Sequence, residues 1–129
     1  IFPLRGKLIN VRATTMQKVN LNHEIACLKK ILGLRVNTDY SENTSSLRYG
    51  KVLLVTDQDV DGFHIRGLIF NMFHSMWPSL LQNKFVQAMR TPIVKVRTER
   101  PKQHFSFFSE YEFGEWMKEN PKKTKHVKK

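Results

Sequence analysis

Several things are scarce in this chain. It has one cysteine, Cys27, so no internal disulfide can form, and no Cys/His cluster has the spacing of a zinc site. That usage suits a reducing compartment. No apolar run approaches the roughly 18 residues of a membrane span, so no membrane-embedded role is expected. The Ile1-Phe2-Pro3 opening has neither an initiator methionine nor a signal-peptide pattern, and the chain reads as cut from something larger. Acidic residues are also few: 11 Asp and Glu stand against 22 Lys and Arg, giving +11 and a pI near 10.1. Such a balance favours a polyanionic partner, with nucleic acid first and an acidic membrane surface second.

What is present is enough for one domain with a core: 129 residues, 40% of them hydrophobic. Pro121 to Lys129 holds five lysines and no acid, and removing it leaves +6. A terminal lysine run of this kind reads first as a solvated tail. The charge on the remainder is the better pointer to a polyanion.

Along the chain, Ile25, Leu28, Ile31 and Leu32 fall at helical spacing, with Asn22 placed to cap the start and Gly33 the end. The stretch from Asn37 to Ser46 is almost wholly polar, with only Tyr40 to bury, and is expected to be a mobile loop. Lys51 to Thr56 is a short apolar run without alternation, the pattern of a strand buried on both faces. It ends in Asp57-Gln58-Asp59-Val60-Asp61-Gly62. Ile65, Leu68, Ile69, Met72, Phe73 and Met76 then give the clearest helix in the chain. Strand, acidic turn and helix make half of a βαβ unit. Pro92 to Thr98 and His104 to Phe108 read as a hairpin, and Ser109 with Glu112 marks the start of a last helix. The expected order is α, β, α, β, β, α, in the α/β class.

The acidic turn carries the chemistry. Asp57, Asp59 and Asp61 lie just past the C-terminal end of a strand, the edge where open α/β sheets place ligands. Crowded carboxylates repel one another, and a divalent cation relieves that repulsion. Mg2+ takes a few carboxylate oxygens plus water or substrate phosphate, so this turn suits it. The same residues also read as a turn capped by aspartates, with Gly62 supplying an unusual backbone angle. The calcium loop D-x-D-x-D-G fits poorly, because its twelfth position requires Glu and holds Leu68 here.

With these residues in view the chain resembles the Toprim domain of type IIA DNA topoisomerases, in the eukaryotic topoisomerase II branch. Pro3-Leu4-Arg5-Gly6-Lys7 with Asn10-Val11-Arg12 is similar to the family's PLRGK...NVR segment, and Thr56 to Gly62 to its TDQDxDG motif. Leu47 to Lys51, Trp77 to Leu81 and Thr91 to Val96 add further agreement, so the likeness runs from Pro3 to about Trp116. One departure is Phe63, where the family usually has a small serine.

The resemblance implies a Rossmann-like parallel sheet flanked by helices, with a C-terminal hairpin and helix and with the first strand missing. Residues 1–120 would be a partial Toprim domain, and 121–129 a basic tail leading into the rest of the breakage-reunion core. Asp57 and Asp59 would carry two Mg2+ ions, with Asp61 in support and a glutamate from outside this chain completing the set. Arg5, Lys7 and Asn10 would contact DNA near the cut. From position alone, in the first turn of the helix after the acidic turn, His64 and Arg66 read as facing phosphate or, for His64, a carboxylate. The catalytic tyrosine belongs to another domain, and Tyr40, Tyr49 and Tyr111 do not take its place. ATP would be bound by a domain absent here. The parent would be a nuclear homodimer acting on double-stranded DNA, in topology control and chromosome segregation. Rival readings are another Toprim enzyme, such as a primase or nuclease, and a non-catalytic nucleic-acid-binding module.

Overall fold

The computed structural model describes residues 1–99 and 101–121, so the lysines of the basic tail lie outside the described residues. The chain forms two compact units, Ile1–Met89 and Arg90 onward.

In the first unit a 3-10 turn (Val11–Ala13) precedes α1 (Met16–Leu21) and α2 (His23–Leu32). Helix α2 has the expected ends. The Asn22 side chain accepts from the Ile25 amide at 3.0 Å, and Gly33 closes the helix in the left-handed region at φ 76°. Strand β1 (Val52–Leu54) is followed by α3 (Val60–Met76), α4 (Pro78–Gln82) and β2 (Val86–Ala88). Strands β1 and β2 pair in parallel, Val52 with Val86 and Leu54 with Ala88, so the expected half of a βαβ unit is completed by a strand too short to stand out in the sequence. Trp77, Phe73, Met72, Leu80, Ile25 and Val19 are fully buried in this unit's core. The second unit pairs β3 (Val94–Glu99) antiparallel with β4 (Lys102–Phe107), and α5 (Glu110–Glu119) follows. Phe105, Phe107, Phe113 and Trp116 form its aromatic cluster, with centroids 5.2 to 6.4 Å apart. The Ser109 hydroxyl caps α5 at the Glu112 amide, and Glu112 accepts in return from the Phe108 amide.

Two expectations require correction. Strand β1 is not buried on both faces: Leu54 is buried, but Leu53 and Val55 are 56% and 63% exposed. Among the described residues the sheet has only two strands, and an apolar run records burial without saying which face receives it. Nor is the polar stretch from Asn37 to Ser46 without anchorage. Tyr40 is 1% exposed, its hydroxyl accepts from the Arg35 amide at 2.9 Å, and its own amide donates to the Ser79 hydroxyl at 3.0 Å. Asn83 donates to the Tyr40 carbonyl, and the Trp77 indole donates to the Arg35 carbonyl at 2.7 Å. One buried ring and these bonds offset part of the ordering entropy that the composition alone leaves unmatched.

Tyr40→Phe is expected to lower unfolding free energy by about 1 kcal/mol, the net worth of one hydrogen bond. Leu80→Ala is expected to cost about 2–5 kcal/mol through the cavity it opens. Urea melts of the two variants check the ranking; equal midpoints for Tyr40→Phe and the parent would show that the loop's hydroxyl anchor carries no energy.

Candidate metal and nucleic-acid site

Helix α3 begins at Val60, earlier than the apolar pattern marks it, so Asp61 and Gly62 sit in its first turn and His64 and Arg66 in its second. Asp59 is the N-cap, and its carboxylate accepts from the Gly62 amide at 2.7 Å. Aspartate is among the best residues for this position because it satisfies an orphan N–H and its charge faces the positive end of the helix dipole. Gly62 does not take an unusual backbone angle, because it is helical and absent from the residues with positive φ. What it provides is space: a Cβ there would collide with the Asp57 carbonyl oxygen and stand 3.2 Å from the Asp59 carboxylate. The turn folds back on the helix start so closely that only a hydrogen fits.

Each acid then has its own surroundings. Asp57 is exposed, and its carboxylate makes no hydrogen bond or ion pair among the described residues. Beside it the Thr56 hydroxyl is buried without a partner among them. Asp61 is paired with Lys7, Nζ to Oδ1 2.8 Å, with both side chains at least half exposed. The hydrogen bond from Lys7, then its charge, holds Asp61 below the usual carboxylate range, and His64 adds a smaller pull in the same direction against slight desolvation. No group of three His, Cys, Asp or Glu arranged to hold a metal exists among the described residues, so the three aspartates do not converge on one point.

Three residues of the N-terminal segment, Lys7, Asn10 and Arg12, lie along α3. Beyond the Lys7–Asp61 pair, Asn71 donates to the Asn10 side-chain oxygen at 3.0 Å, and Arg12 meets the His74 ring at 2.8 Å. Asn10 also caps the 3-10 turn by accepting from the Arg12 amide. Sequence reasoning misses the roles of Arg12 and Asn71, because their spacing from Lys7 and Asp61 becomes meaningful only once the segment is laid on the helix. Arg5 is exposed and has no partner among the described residues, and Gly6 beside it takes a left-handed φ of 87°. Arg66 donates to the Gln58 amide oxygen at 3.1 Å, and its guanidinium stands 4.7 Å from the centroid of Phe63, which is 48% exposed. Thus the residue that departs from the family pattern forms a cation–π platform for an arginine, worth about 0.5–1 kcal/mol at an exposed position.

The Arabidopsis thaliana protein DNA topoisomerase 2 is 52% identical over 117 residues, covering 90% of this chain, and the Rattus norvegicus protein DNA topoisomerase 2-alpha is 46% identical over 127 residues, covering 97%. The chain belongs to the type II DNA topoisomerase family. It spans only 8% of the length of either topoisomerase. The crystal structure of the Plasmodium falciparum topoisomerase II DNA-binding, cleavage and re-ligation domain superposes with a TM-score of 0.80 at 42% identity, over 92% of this chain and 16% of that one. No family model matches the chain. No helix among the described residues is long and apolar enough to cross a membrane.

Two outcomes follow for this topoisomerase segment. Gly-to-Ala in a helix ordinarily stabilises by up to about 1 kcal/mol; Gly62→Ala is expected to reverse that sign and lower the melting temperature, and a rise would mean that the turn can move aside. The Lys7–Asp61 pair contributes above pH 3.8, the ordinary aspartate value, and its contribution is lost as pH falls through the lower folded value. In an NMR titration Lys7→Met is expected to move the Asp61 carboxyl upward, and an unmoved titration would remove the pair.

Proposed function

We propose that this chain is the Mg2+-binding Toprim region of an ATP-dependent type II DNA topoisomerase, an isomerase that cuts and reseals both strands of a duplex during strand passage. The observation that carries the reading is the Lys7–Asp61 pair, because it joins a basic N-terminal segment to an acidic turn at the carboxyl end of a parallel strand. A metal needs anionic oxygens and the DNA backbone needs cations, and here the two lie within one side-chain contact.

The residues fit the metal in kind. Asp57 offers a free carboxylate at the edge of β1, and Asp59 spends one oxygen on the α3 cap while the other remains as a donor. Two hard oxygen donors suit Mg2+, which keeps several waters or phosphate oxygens, and the glutamate outside this chain would complete the set. When bound, Mg2+ supplies positive charge to a scissile phosphate and to the leaving 3′ oxygen. The chain's own residues do the rest. Arg5 and Lys7 attract and orient the phosphate backbone, and Asn10 donates its amide hydrogens to phosphate oxygens. Arg66, supported by Phe63, holds Gln58 within the acidic turn, while exposed His64 on the next turn of α3 faces phosphate. On this reading residues 1–120 are a partial Toprim domain lacking its first strand, and 121–129 lead into the breakage-reunion core. The nucleophilic tyrosine and the ATP site lie in other domains of a nuclear homodimer that controls DNA topology and chromosome segregation.

A structural turn is the second reading. It is favoured by the capping role of Asp59 and the ion pairing of Asp61, which give both acids work without a metal. Calorimetry on the parent protein separates the two readings. Asp57→Ala and Asp59→Asn are expected to weaken Mg2+ binding by at least about tenfold, roughly 1.4 kcal/mol; asparagine keeps the cap, so a loss there belongs to the metal. Unchanged binding and unchanged DNA cleavage in both variants would leave the acidic turn a structural feature. The 129-residue chain alone is expected not to cleave DNA, and Mg2+-dependent cutting by the purified chain would refute that.

A further inference from the structure

A second concentration of charge is formed by residues other than those of the acidic turn. At the C-terminal end of α2 an open hollow of about 510 Å³ is lined by Lys29, Lys30, Arg35, Arg48 and Ser46, with no Asp or Glu among its lining residues. Lys29 donates to Asn20 at 3.1 Å. Lys30, Arg35 and Arg48 are exposed and have no side-chain partner among the described residues.

The ordinary explanation for cations at a helix end is that they cap its last carbonyls. Here backbone amides already take part of that role. The Lys29 carbonyl accepts from Leu34 at 2.9 Å and also from Gly33, and the Leu32 carbonyl accepts from Arg48 at 3.1 Å. Two of the four cations, Arg35 and Arg48, moreover stand beyond the helix, brought to its end by the returning chain. Like charges gathered around one concavity repel, and an anion seated there removes the repulsion.

We propose that this hollow is a second nucleic-acid contact, a cradle for the phosphodiester backbone of duplex DNA in addition to any contact at the acidic turn. An acidic peptide is the less suitable occupant, because protein interfaces rest on a desolvated apolar centre and this hollow exposes no large apolar side chain. Its apolar lining residues are Ala26, which is small, and Leu34, which is 7% exposed. Two guanidinium forks and two ammonium groups are the donors that phosphate oxygens take. The choice of DNA over another polyanion rests on the topoisomerase reading; the location does not.

The test is the salt dependence of duplex binding by the 129-residue chain, measured by fluorescence anisotropy between about 50 and 200 mM KCl. Neutralising Lys30, Arg35 and Arg48 together (K30Q/R35Q/R48Q) is expected to reduce the slope of log affinity on log salt by about 2 to 3, near 0.9 for each phosphate no longer neutralised. R35K/R48K keeps the charges and is expected to keep the slope, which distinguishes the removal of charge from a failure to fold. An unchanged slope in the triple variant overturns the inference, as does a parent chain with no duplex affinity. If the triple variant keeps its duplex slope but no longer binds poly-glutamate, the hollow serves an acidic peptide and the inference is again overturned. None of these results bears on Mg2+ binding at Asp57, so the two readings fail separately.

Discussion

The close approach of Gly62 to the Asp57 carbonyl is the constraint on which the site depends. It forces the chain to reverse within a few residues of β1 and to enter α3 directly, with Asp59 capping the helix and Asp61 on its first turn. Once that handover is fixed, the direction of α3 is fixed, and the N-terminal segment has a rail on which to lie. Lys7, Asn10 and Arg12 then meet Asp61, Asn71 and His74 in the same order along the helix. Each contact is modest, since water screens exposed polar pairs and their side chains give up freedom to meet. Their value lies in register: together they place a cationic strip beside the acids.

Much of this is legible in the sequence, and the limits are physical. Helix α2 and its two caps follow from Asn22, the apolar stripe and Gly33, because those signals are local and nothing tertiary opposes them. The parallel arrangement around β1 is only half visible. Strand β2 has three residues, Val86 to Ala88, and a segment so short carries no period of its own. The apolar pattern misses the start of α3 because aspartate and glycine are weak helix formers in an interior yet favourable or required at this N-terminus, where capping and space outweigh propensity. Tyr40 shows the same lesson in the loop: one aromatic ring supplies what ten residues of composition do not reveal.

The site residues are legible by type and not by arrangement. Asp57, Asp59 and Asp61 look equivalent as a D-x-D-x-D string, yet one carboxylate is free, one is a cap and one is half of an ion pair. Alternation cannot distinguish them, because the string crosses from an extended turn into a helix and the residue spacing changes meaning at Asp59. Arg66 is similarly divided between Gln58 and Phe63, a relation invisible until the helix places 63 and 66 on one face.

Asn10 illustrates how a minor bond sets chemical polarity. Its oxygen receives both the Arg12 amide and the Asn71 side chain, so the amide cannot turn over without giving up two partners. The nitrogen end is what remains for other molecules. An asparagine, normally ambivalent between giving and taking hydrogens, is thereby made a one-way donor, blind to groups that themselves offer hydrogens and receptive to oxygen-rich anions.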